Sequence, residues 1–166
     1  MVNAIRYILL HEFGHALGLF SNAHPSWIPS EKPLNMNHPF TKLSWKLTEN
    51  SEVISLFEDK FPYRKAIRYY SFEKALLYND QIIDLYTRLQ KYTNFASMQA
   101  AITLWEDFAE SFATYVHVVL ENRPWQIRIE RGDGQPMIID SGWHEERCKE
   151  KKAFMEKWFK DPLGAK

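Results

Sequence analysis

The stretch "HEFGHALGLFSNAH", residues 11–24, places two histidines four positions apart with a glutamate between them. On a helix, residues four apart differ by about 40° of rotation, so His11 and His15 project side by side and can bind one cation. Glu12 is rotated by about 100° from His11, close enough to act on a water at that cation without binding the cation itself. Apolar residues around this motif recur at helical spacing and predict a helix over 3–20.

The string "HEFGHALGL" resembles the zinc helix of the zincin metallopeptidases and is close to the matrixin type. The resemblance implies a zinc-dependent peptidase that acts on a peptide or protein. His11 and His15 would bind zinc, and Glu12 would take a proton from the activated water and pass it to the leaving amine.

The sequence of this helix does not supply the third zinc ligand of the metzincin pattern. In the metzincin pattern H-E-x-x-H-x-x-G-x-x-H a third histidine would fall at position 21, where this chain has Ser21, a poor zinc ligand. His24 could serve only if the chain after Gly18 carried three extra residues, which defines a metzincin-like alternative. Otherwise we expect His24 and His38, both in the following loop, to be solvated.

A second stretch, "LWEDFAESFATYVHVV" at 104–119, places Glu106 and Glu110 four apart on a predicted buried helix. Carboxylates on such a helix are costly to bury unless they bind a cation or accept hydrogen bonds. The string "ESFATYV" resembles the third-ligand helix of gluzincins. Carried over residue by residue, that resemblance makes Glu110 the third zinc ligand, with Glu106 holding a ligand histidine in its tautomer from behind.

A zinc peptidase also needs a donor for the oxyanion. His117 lies two helical turns after Glu110, and His144 follows the predicted hairpin, so both are candidate catalytic residues. A structural role is the simpler interpretation of each.

Composition narrows the class of protein. The chain has 166 residues, with 21 basic and 21 acidic side chains and therefore no net charge, which predicts no nucleic-acid partner. The apolar run before His11 is too short to span a membrane. The single Cys148 excludes an internal disulfide. The oligomeric state is left open by these features.

We predict one α+β domain over 1–166, mostly helical and zincin-like, with a small antiparallel hairpin near the C-terminus. Beyond the first helix, the predicted elements are an irregular loop over 21–50, a short helix within 48–61, helices at Ser71–Tyr92 and 96–121, a hairpin at 125–140 that turns near 132–135, and a helix over 142–159. Trp27, Phe40 and Trp45 in the loop could line a cleft, but we expect them to be core residues beneath the loop.

In zinc proteases, chain upstream of the zinc helix supplies the sheet that cradles the substrate. We therefore expect that an upstream sheet has been trimmed from this sequence, together with any targeting segment. Secretion or export to the periplasm would fit such a segment. The same short N-terminus supports another alternative, a protease-derived domain that binds metal and hydrolyses little.

Overall fold

The computed structural model describes residues 2–27, 34–67, 77, 79–132 and 134–162, and it confirms an α+β, mostly helical fold. The four helices are α1 (Val2–Phe20), α2 (Asn79–Tyr92), α3 (Leu104–Tyr115), which continues as a π-helical turn over Val116–Leu120, and α4 (Lys149–Lys160). Two antiparallel pairs are formed by β1 (Trp45–Leu47) with β2 (Val53–Ser55), and by β3 (Gln126–Ile129) with β4 (Met137–Asp140).

The prediction of a short helix within 48–61 is wrong, because this stretch contains the turn and the second strand of the β1–β2 hairpin. Thr48 Oγ1 accepts a hydrogen bond from the Glu52 backbone N–H, and Ser51 adopts a left-handed conformation with φ of +59°. The threonine side chain thus stabilises a turn where the sequence predicted a helix. The loop predicted over 21–50 also contains a strand, β1, near its end.

Two helix starts also differ from the prediction. Thr103 caps α3 by accepting from the Glu106 N–H, so this helix begins eight residues after position 96. Cys148 precedes the start of α4, seven residues after position 142. Ser71, the predicted cap of α2, lies outside the described residues, and the described helix begins at Asn79. The β3–β4 hairpin is confirmed at the predicted position.

Helix α3 forms the centre of the molecule, and every residue from Asp107 to Tyr115 is buried. Helix α1 packs across it so closely that a Cβ atom on Gly14 would lie 2.7 Å from the Ala109 Cα. Helix α4 covers another side of α3 with Met155 and Trp158. Phe40 and Trp45 are buried as expected, whereas Trp27 is 45% exposed.

The opposite face of α1 is apolar and exposed. More than half of the side-chain surface is accessible at Ile5, Ile8, Leu9, Phe13 and Phe20. Within the described part of the chain, no helix has both the length and the apolar character needed to cross a membrane.

Candidate metal centre

The crossing of α1 and α3 brings two histidines of α1 against one glutamate of α3. His11 Nε2 lies 3.1 Å from His15 Nε2 and 3.3 Å from Glu106 Oε2, and His15 Nε2 lies 3.4 Å from Glu106 Oε1. These three side chains are the group of potential ligands that the described residues bring together, with ligand atoms within 4.8 Å of one another. We call His11, His15 and Glu106 the triad.

Glu110 lies on the other side of the His11 ring. Its Oε1 is 2.8 Å from His11 Nδ1, and its carboxylate is 3% exposed. Because a carboxylate only accepts, this contact requires a proton on His11 Nδ1, and the neutral ring would then present the Nε2 lone pair to the triad. The described residues thus bring Glu106 together with both histidine Nε2 atoms and Glu110 against His11 Nδ1, whereas the "ESFATYV" string predicts Glu110 as the ligand.

Two carboxylates beside one imidazole give the centre a strongly negative electrostatic potential. Burial would lower the pKa of His11, but hydrogen bonds with Glu106 and Glu110 outweigh it and raise that pKa to about 9. Burial would raise the pKa of Glu106, but hydrogen bonds with His11, His15 and Gln99 hold it well below its usual range. The centre thus favours a positive charge between the two glutamates, which either a proton or a metal ion can supply.

The two histidine nitrogens of the triad have nearly the spacing of two ligands on a small tetrahedral cation. Ligand atoms about 2.0–2.1 Å from a tetrahedral zinc ion are separated from each other by about 3.3–3.4 Å. His11 Nε2 and His15 Nε2, 3.1 Å apart, are close to such an edge, and each lies 3.3–3.4 Å from a different oxygen of Glu106, Oε2 and Oε1 respectively. Two imidazole nitrogens and one carboxylate oxygen are also a donor set that zinc accepts.

An open cleft of about 410 Å³ adjoins the triad. Glu12, exposed on α1, lines it together with two triad members, His15 and Glu106. Trp27 and Trp105 form its apolar walls, and the Trp105 indole N–H donates to the Pro25 carbonyl at 2.8 Å. That bond ties the segment after α1 to α3 and holds Trp27 beside the cleft.

The loop histidines are not solvated, contrary to expectation. His24 is 1% exposed, and its Nδ1–H donates to the Pro25 carbonyl at 2.9 Å, while its ring packs against Gly18 and Phe108. His38 is also buried and contacts the Asn22 carbonyl at 2.9 Å. Both were predicted to face water because of the proline-rich sequence around them. His24 lies outside the triad.

The structure does not bring the two other candidate catalytic histidines to the triad. His117 Nε2 lies 3.2 Å from the Pro124 carbonyl, and its ring meets the edge of Tyr7. His144 is exposed and lines a separate cavity of about 490 Å³, which is walled by Trp125 and Trp143. No triad member lines that cavity.

Several residues at the centre were missed by the sequence analysis. Tyr7 stands four residues before His11, in line with His15, so the same helical spacing could have identified it. Ser97 and Gln99 contact Glu110 and Glu106 from a turn that carries no recognisable motif. Comparison with family models, curated proteins and solved structures returns no match to this chain.

Proposed function

We propose that this protein is a zinc-dependent peptidase in which His11, His15 and Glu106 bind the metal. The observation that carries the proposal is that the two histidine nitrogens, 3.1 Å apart, each lie 3.3–3.4 Å from an oxygen of the Glu106 carboxylate, at the edge of an open cleft that also contains Glu12. Catalytic zinc sites keep three protein ligands and one open position, and the cleft gives a substrate access to that position.

Each side chain has a distinct part in the proposed reaction. When bound, zinc would supply a Lewis acid that lowers the pKa of a water and polarises a carbonyl oxygen. Glu12 takes a proton from the water while the water oxygen attacks the peptide carbonyl carbon. Glu12 then delivers this proton to the amine nitrogen as the C–N bond breaks. Glu110 keeps the Nδ1 proton of His11 in place, so that Nε2 remains free to bind.

The cleft supports a peptide as substrate. Trp27 and Trp105 offer apolar walls for a substrate side chain next to the scissile bond, while Glu12 and Glu106 are its charged groups. A substrate with a neutral, partly apolar segment fits this lining, because the two indoles offer apolar contacts and Glu12 is the carboxylate left free of the metal.

The function is tested with purified protein, zinc analysis and a library of quenched fluorescent peptides. We expect one zinc per chain in the wild type and in Glu12→Gln, with peptide cleavage about 100- to 10,000-fold slower in the variant, as for loss of a general base. Zinc bound equally by both proteins, with no cleavage by either, would refute the peptidase and support a domain that only binds metal.

The ligand assignment is tested separately by a matched pair of isosteric variants. Glu106→Gln should abolish stoichiometric zinc binding, whereas Glu110→Gln should weaken binding by about 10- to 100-fold. The opposite order would restore Glu110 as the ligand. Loss of zinc in His24→Gln, with binding kept in Glu106→Gln, would instead support the metzincin-like alternative.

A further inference from the structure

Two hydroxyl groups converge on the Glu110 carboxylate from different parts of the chain. The Tyr7 hydroxyl donates to Glu110 Oε2 at 3.0 Å from α1, and the Ser97 hydroxyl donates to the same oxygen at 2.5 Å from the turn before α3. The remaining oxygen, Oε1, accepts from His11 at 2.8 Å. Three donors therefore fix one buried carboxylate.

We propose that Tyr7 and Ser97 are positioning residues that lock Glu110, and through it the ring of His11, in the geometry that binds metal. The inference rests on the proposed metal site but concerns its preorganisation rather than the hydrolytic step. With Oε2 held, the carboxylate cannot rotate about its terminal torsion without losing buried hydrogen bonds. Oε1 then stays in the plane that His11 Nδ1–H requires.

The arrangement gives each hydroxyl a specific use. Ser97 Oγ accepts from the Ala100 backbone N–H at 3.1 Å, so its own proton is left for Glu110. Tyr7 is half-buried one turn before His11 on the same helix, so its hydroxyl and the His11 ring approach Glu110 side by side. Tyr7, Ser97 and Glu110, which we call the lock, thus join α1, α3 and the turn between α2 and α3.

Loss of a hydroxyl from the lock should weaken metal binding, because the His11 ring would then have to be ordered during binding. A free Oε2 lets Glu110 sample other rotamers, and the His11 Nδ1–H then loses its fixed acceptor. Supporting groups of this kind typically contribute about 10- to 100-fold to metal affinity, and the effect is divided here between two donors.

The test compares Tyr7→Phe with Tyr63→Phe. Both remove one phenol hydroxyl that donates to a carboxylate, but Tyr63 donates to Asp84, on helix α2. We expect Tyr7→Phe to weaken zinc binding about three- to tenfold in competition with a chromogenic chelator. Tyr63→Phe should leave the affinity unchanged. Equal affinity in wild type and Tyr7→Phe would overturn the proposal.

Ser97 supplies the second arm of the test. Ser97→Ala should weaken zinc binding to a similar extent, and Ser97→Thr, which retains the hydroxyl, should recover it. If Ser97→Ala fails to fold because the Ala100 N–H loses its partner, the tyrosine pair still decides. Equal affinities in Ser97→Ala and Ser97→Thr, both folded, would contradict a role for the hydroxyl.

Imidazole ¹⁵N NMR of the metal-free protein distinguishes this proposal from the proposed function. The wild type should show His11 with its proton-bearing Nδ1 in slow exchange, and Tyr7→Phe should show faster exchange at that site. A wild type that binds zinc without cleaving peptides would refute the peptidase and leave the lock intact. An unchanged His11 spectrum in Tyr7→Phe would refute the lock whatever the activity.

Discussion

The His24 ring is buried beside Gly18 and Phe108, and burial lowers its pKa to about 4. An unfolded chain would protonate this ring near pH 6.5. Protonation therefore favours the unfolded state, and the stability linked to neutral His24 is present above pH 6.5 and is lost as the pH falls towards 4. Between pH 7.5 and pH 5.0 this loss amounts to about 2 kcal/mol.

We expect His24→Leu to remove this part of the pH dependence. In urea unfolding at pH 7.5 and pH 5.0, the free energy of unfolding of the wild type should fall by about 2 kcal/mol more than that of the variant. Parallel losses in the two proteins would mean that His24 is already charged or is exposed in solution.

The two glutamates show what spacing can predict at the level of single residues. Positions 106 and 110 share a helical face, so both could be assigned to the centre from sequence. Which of them faces the Nε2 atoms depends on the axial offset between α1 and α3. That offset is fixed by the packing of two distant segments, at the point where Gly14 lies against Ala109. The sequence pattern around 106–110 contains no information about it.

At the level of elements, the contact between α1 and α3 depends on the absence of a side chain at Gly14. A Cβ atom there would lie 2.7 Å from Ala109 Cα and 3.0 Å from the Ala109 carbonyl oxygen, and backbone atoms cannot move aside as a flexible side chain can. We expect Gly14→Ala to destabilise the protein by about 1–3 kcal/mol, although alanine is the better helix former.

Gly14→Ala should also weaken zinc binding, because the triad takes ligands from both helices. Thermal unfolding and chelator competition measure the two effects on the same sample. A variant as stable as the wild type, with the same zinc affinity, would show that the helices are less tightly apposed than this contact requires.

Elements with a strong local pattern, a helical period or a glycine-rich turn, were predictable, and the β1–β2 hairpin was not. Helix α1 and the β3–β4 hairpin follow from periodicity and from a glycine-rich turn. The β1–β2 hairpin was mistaken for a helix because Thr48 and Asn50 also suit a helix cap. In the structure Trp45 is buried across from Ser55, and Trp45 lies outside the stretch 48–61 from which the helix was predicted.

Across the whole molecule, one buried ion pair connects α4 to the helix that carries the candidate ligand. Lys151 and Asp107 are both fully buried and hydrogen-bonded to each other, and Asp107 also accepts from the Trp45 indole at 3.0 Å. The Lys151 ammonium lies 5.3 Å from the Phe40 ring centre and 4.8 Å from that of Phe95. Helices α3 and α4 and strand β1 thus meet at one pair of charges.

Removing one partner should be far more damaging than removing both charges. Lys151→Met leaves the Asp107 carboxylate buried without its cation, and we expect a loss of about 3–5 kcal/mol in urea unfolding. Adding Asp107→Asn removes the second charge and keeps an acceptor for the Trp45 indole, so the double variant should regain most of that loss. A double variant no more stable than Lys151→Met would mean that the aromatic contacts of the lysine, rather than its charge pairing, hold α4 in place.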